Sequence, residues 1–240
     1  MSPVIDFTYF EHMFPMFRHI QNVLTDAEAE NGDRQWLEGT SKNRHMSWTN
    51  ETCSLRIQLA YDGREIPFHT LQNLVAIWAI YEDVIEMLQP DHHHGYNVRL
   101  AVSLSTRFPV SADKETYRTA IYHCKTLPEL RDLAGLYATC GGRTKINLLT
   151  FSQDSGLGHG LQLQAHTIEF REHVGTLNAD DIKWWMLFTS KMLRFAQALT
   201  DANLAFDAHG DLHVIDLLDL IGFPREGQEF YVRRLAELAH

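Results

Sequence analysis

Hydrophobic and polar positions change period several times along this chain, and each change marks an element. Over Cys53 to Ala60 the alternation is strict. Cys53, Leu55, Ile57 and Leu59 fall on one face and Ser54, Arg56, Gln58 and Ala60 on the other, which predicts a half-buried strand closed by the Asp62-Gly63 turn. From Phe68 to Leu88 the period lengthens to three and four. Leu71, Leu74, Val75, Trp78, Tyr81, Val84, Ile85 and Leu88 predict one long amphipathic helix ending ahead of Pro90. Residues 113 to 139 read as two helical pieces, the second opening near Pro128-Glu129, and Gly141-Gly142 ends them. Lys145 to Phe151 is a second strand and His166 to His173 a third. In the third, Thr167, Glu169, Arg171 and His173 share a face while Ile168 and Phe170 point into a core.

Asn178 reads as the N-cap of a helix running to Leu199, with Asp180 and Asp181 where the helix dipole favours acids. Trp184, Trp185, Leu187, Phe188, Met192, Phe195 and Leu199 give that helix a broad apolar surface. Two short helices, near 212–221 and 226–239, flank Gly222-Phe223-Pro224. The first 24 residues predict a helix that Pro15 kinks or splits, and residues 25–50 an irregular linker within a single domain spanning 1–240. The glycine-rich link Ser155 to Gly160 joins two strands, so it predicts a hairpin connection and lacks the strand-to-helix setting of a phosphate loop. Strands near 147 and 169 paired in this way fit an α+β fold, an antiparallel sheet with helices packed on one face, better than a doubly wound parallel sheet.

Composition narrows the function classes. The 240 residues are 45% hydrophobic, enough for a sizeable core. A net charge of -10 without a basic cluster argues against nucleic-acid and anionic-membrane partners, since both rely on Lys and Arg facing phosphates. No run approaches the roughly 20 apolar residues of a membrane span. The N-terminal apolar residues are broken by Asp6, Glu11, His12 and Arg18 where a signal peptide is continuous, so a cytoplasmic location is expected. Cys53, Cys124 and Cys140 have no paired spacing and are expected to be reduced. The His92-His93-His94 run reads as a solvated loop, because adjacent residues rarely converge on one ion.

The chemistry concentrates on Glu169 and Arg171, a carboxylate and a guanidinium side by side on one strand face. Such a face is either solvated and ion-paired or suited to a metal-bound phosphate.

Several segments together resemble the fungal amidoligases, a branch of the glutamine synthetase and glutamate–cysteine ligase superfamily of ATP-dependent carboxylate-amine ligases. The resemblance rests on Lys145-Ile146-Asn147-Leu148, then Thr167-Ile168-Glu169-Phe170-Arg171 and Gly175-Thr176-Leu177 ahead of a Trp-bearing helix. Cys53-Ser54-Leu55 leading a strand, Ile66-Pro67-Phe68 with Thr70-Leu71-Gln72-Asn73-Leu74, and Ser2-Pro3 near the first methionine add to it. It implies a glutamine-synthetase-like catalytic-domain remnant, in which Glu169 is a magnesium ligand and Arg171 contacts the transferring phosphate. ATP and magnesium would be the cofactors, and a small carboxylate and an amine the substrates. Lys145, Asn147, Arg56 and Gln58 are the candidate substrate- or anion-binding residues, Asn147 either orienting a ligand or satisfying backbone groups.

Arg56-Ile57-Gln58 stands where the family shows a His-x-His, and arginine cannot bind magnesium. The family's first metal-binding strand, a Glu-x-Glu, belongs upstream of the Ser-Pro, and here the sequence begins at Met1-Ser2-Pro3. The expectation is a degenerate amidoligase-like protein lacking those N-terminal strands, with weak or no ligase activity as an isolated chain. The alternatives are a binding or regulatory protein that uses the remnant cleft or an exposed sheet edge, self-associating or taking a protein partner there, and a piece cut from a working ligase.

Overall fold

Alternation over residues 55–59 becomes strand β1 (Ile57–Ala60), with Ile57 and Leu59 buried and Arg56 and Gln58 exposed. The computed structural model describes residues 55–60, 65–89, 113–134, 145–148, 167–173, 175–176, 178–207 and 211–238, and every structural statement below concerns these. The predicted N-terminal helix, the 25–50 linker, the histidine run, the glycine-rich link, Cys53 and Cys140 lie outside them.

Strands β2 (Ile146–Asn147) and β3 (Thr167–Phe170) complete an antiparallel three-stranded sheet in the order β1-β3-β2. The predicted pairing of strands near 147 and 169 is therefore present, as antiparallel neighbours. Backbone bonds of 2.9 Å from Leu55 N–H to His173 O and from Arg171 N–H to Lys145 O carry the ladders past the strand ends. As the central strand, β3 is buried at all of its residues, so the polar face is not a solvated one.

The predicted helix over 68–88 is two helices, α1 (Phe68–Ile80) and α2 (Glu82–Glu86), parted at Tyr81. Tyr81 leaves helical geometry at φ -112° and ψ 21°, its ring packed edge-on against Phe206 at 5.8 Å. Nor is α1 amphipathic: every residue from Thr70 to Ile80 is buried. Polar side chains survive there because each finds partners. Gln72 donates to the carbonyls of Ile121 and Cys124 at 3.1 and 3.0 Å, which stops the end of α3 (Lys114–His123) against α1. Asn73 donates to Thr200 Oγ1 at 3.1 Å and Leu204 O at 3.2 Å, while its Oδ1 accepts from Phe206 N–H at 3.1 Å and from the Tyr122 hydroxyl. Buried polar groups are tolerated on this condition.

The remaining helices are α4 (Leu127–Ala134), α5 (Ala179–Asp201), α6 (Val214–Leu220) and α7 (Arg225–Leu238). Long α5 packs along α1. Their interface is aromatic: Trp78 lies 6.2 Å from Trp185, 6.1 Å from Phe188 and 5.2 Å from Phe170 of β3, which seats the helices on the sheet's apolar face. Gly222, at φ +64°, makes the left-handed turn between α6 and α7 that other residues adopt only with strain. Arg234 of α7 bonds Asp181 at 2.5 Å and ties the last helix to the start of α5. The described residues form an α+β fold, and none of their helices is long and apolar enough to cross a membrane.

Asn178 caps α5 as predicted, its Oδ1 accepting from Asp180 N–H at 2.9 Å and Asp181 N–H at 3.4 Å. Asn178→Ala should cost about 1 kcal/mol, read as a shift in the urea midpoint, and Asn178→Asp should cost almost nothing. Equal losses for both would show that the cap contributes no stability.

Candidate functional site

Sheet register assembles the predicted site. Gln58 of β1 and Asn147 of β2 lie directly opposite Glu169 on its two sides, one row across the sheet. The next row outward is set by the bond from Arg171 N–H to Lys145 O. Three separate stretches of sequence thus converge because β3 is central and both neighbours run antiparallel to it.

Within the site, Glu169 is held by two guanidiniums. Arg171 Nη2 donates to its Oε2 at 2.6 Å, and Arg56 Nη1 lies 3.9 Å from its Oε1. Glu169 and Arg171 are 5% and 6% exposed, so their pairing takes place out of water, whereas the Arg56 side chain is 54% exposed. The short contact is a charge-assisted hydrogen bond in a buried setting. The long one is a surface ion pair that solvent weakens. Of these three charged side chains, Arg56 is the one open to solvent. His173, on the same strand face by sequence, is buried with its ring 5.2 Å from that of Trp185.

Lys145 is not brought to this site. Its main chain pairs with Arg171, but its ammonium sits 2.9 Å from Glu172, 3.2 Å from Glu82 and against Glu86. Glu172 also accepts from Trp78 Nε1 at 3.1 Å, which places the group on the helix-bearing side, where Trp78 covers Phe170. Burial works against a charge on Lys145, but attraction from Glu172 and Glu82 outweighs it and holds the ammonium above its ordinary value. Sequence reasoning grouped Lys145 with the anion-binding residues and missed Glu82, Glu86 and Glu172. A signal was there: Glu82 follows Trp78 by four and Glu86 follows Glu82 by four, so both carboxylates prolong the apolar stripe of α1.

The donor set does not fit magnesium. Octahedral magnesium asks for several oxygen ligands at about 2.0–2.1 Å, yet the carboxylate of Glu169 is engaged by guanidiniums and its β1 neighbours are Arg56 and Gln58. Among the described residues no group of three His, Cys, Asp or Glu side chains is placed to share an ion. No family model, curated protein or solved structure matched this chain on comparison.

Proposed function

We propose that this chain is an amidoligase-like protein, related to ATP-dependent carboxylate-amine ligases, with weak or no ligase activity by itself and a surviving capacity to bind small anions at Arg56. The observation that supports it most is Glu169 held between Arg171 at 2.6 Å and Arg56 at 3.9 Å. In a ligase site such a carboxylate would help hold magnesium between nucleotide phosphates, and such an arginine would face the charge that moves when a carboxylate is phosphorylated. Here the two neutralise each other. A helix-covered antiparallel sheet agrees with a glutamine-synthetase-like remnant at the level of architecture.

Binding without metal follows from the charges. Arg56 sits at the long end of its pair with Glu169 and is half in water, so a phosphate or carboxylate can take two of its N–H groups without disrupting the buried Arg171 contact. Calorimetric titration of the full chain with inorganic phosphate, with ATP alone and with ATP plus magnesium tests this. The expected result is weak binding that needs no magnesium, is lost in Arg56→Glu, and releases no ADP when amino acids and ammonia are supplied. Magnesium-dependent micromolar binding with ADP release would overturn the inactive reading, and no binding by any of the three would overturn the anion site.

A further inference from the structure

Helix α5 carries no carboxylate between Asp181 and Asp201, although the chain as a whole has 31 acidic residues against 21 basic ones. Its charged side chains in that interval are Lys183, Lys191 and Arg194. At 3.6 residues per turn they fall within an arc of about 80°, together with Leu187 and Ala198. Lys183, Leu187, Lys191, Arg194 and Ala198 follow one another by four, four, three and four, a line about 22 Å long at 1.5 Å per residue. This arc faces water: Arg194 and Ala198 are exposed and the other three partly so, while Trp185 and Met192 on the far side are fully buried. Lys183 lays its ammonium 4.0 Å over the Trp184 ring. Lys114, Arg118 and Arg225 on other helices are each paired, with Asp211, Glu115 and Glu229, but Lys191 and Arg194 have no carboxylate partner among the described residues.

We propose that this arc of α5 is the docking surface for an acidic amphipathic helix of another protein. Spacing by three and four is the one at which a second helix lies along the first, its side chains seated between those of the arc. Carboxylates of the partner meet Lys191 and Arg194, and its apolar side chains cover Leu187, Ala198 and the lysine stems. Charge complementarity selects this occupant over two others. A second copy related by a two-fold axis along the arc would lay its cations on Lys191 and Arg194. A nucleic acid would be repelled by the net charge of -10 and would find no phosphate donor at Leu187 or Ala198. Since each exposed ion pair contributes little, the complex is weak and its formation is steered by charge.

This surface shares no residue with the anion site at Arg56 and stands or falls apart from it. The probe is a labelled synthetic helix of about 20 residues, with leucines at three-and-four spacing and glutamate and alanine elsewhere. Fluorescence anisotropy follows its binding to the full chain at low and at physiological salt. The expected result is saturable binding that weakens with salt, falls about tenfold in the Lys191→Glu, Arg194→Glu double variant, and is unchanged in Arg56→Glu. The urea midpoint checks that the double variant is folded; if it is not, Lys191→Gln with Arg194→Gln replaces it and the binding should still fall. No binding, equal binding to the folded double variant, or equal binding of the same peptide with glutamine for glutamate would overturn the proposal. So would tighter binding of single-stranded DNA of equal charge, or a doubling of mass in light scattering that the double variant abolishes.

Discussion

Lys145→Met is expected to destabilise the protein by about 3–5 kcal/mol near pH 8 and by much less near pH 5. Methionine matches the length of the lysine stem but removes the ammonium that Glu82, Glu86 and Glu172 share. Near pH 8 these carboxylates must ionise next to each other or the region must open. Near pH 5 they can take up protons, which removes most of the cost. The unaltered protein carries the same sign in weaker form. Glu172 has its folded value raised to about 7 from 4.5, so its contribution is fully present below the unfolded value and is lost as pH rises through 7. Urea midpoints of both proteins at the two pH values measure the effect. A loss under about 1 kcal/mol, or one that does not change with pH, would mean that the ammonium does not hold the cluster together.

Trp78→Ala should cost about 3–5 kcal/mol and Trp78→Phe about 1–3 kcal/mol. The two substitutions separate two roles of one side chain. Alanine empties the space between Trp185, Phe188 and Phe170, where helices and sheet meet. Phenylalanine keeps most of that contact but removes the indole N–H that Glu172 accepts at 3.1 Å, leaving a buried carboxylate oxygen without its donor. Denaturation curves of the two variants would show the difference. If phenylalanine were as damaging as alanine, the polar contact would outweigh the packing, and the aromatic cluster would not be the main bond between α1 and the sheet.

Much of α5 was legible because its signals are local. The Asn178 cap, the acids after it and the aromatic spacing all act within one or two turns, and each has its counterpart in the structure. Strand β1 was legible for the same reason, since alternating burial at Arg56, Ile57, Gln58 and Leu59 is its own signature. Helix α1 was not. Thr70, Gln72 and Asn73 look like a solvent face until their partners near residues 121–124 and 197–206 are known, and no spacing rule reports a carbonyl so far along the chain. No glycine or proline announces the break at Tyr81 either. For the site, periodicity placed Glu169 and Arg171 on one strand face, but only the register brought Gln58 and Asn147 beside them. Lys145 misled because a residue at the start of a strand turns toward whichever charges lie near, and those belong to α2 and to the segment after β3.

The burial of β3 on both faces bears on how the sheet finds its pairing. A strand with an oily side and a watery side that slipped by one residue would only exchange exposure. In β3 a slip would carry the paired charges of Glu169 and Arg171 among the tryptophans and turn Phe170 toward Arg56, with the cross-strand Arg56–Glu169 pair lost. Alternative alignments are thereby penalised at two places at once. The Glu169–Arg171 pair serves as a key that fits one register, which gives it a part in folding specificity whether or not any anion ever reaches Arg56.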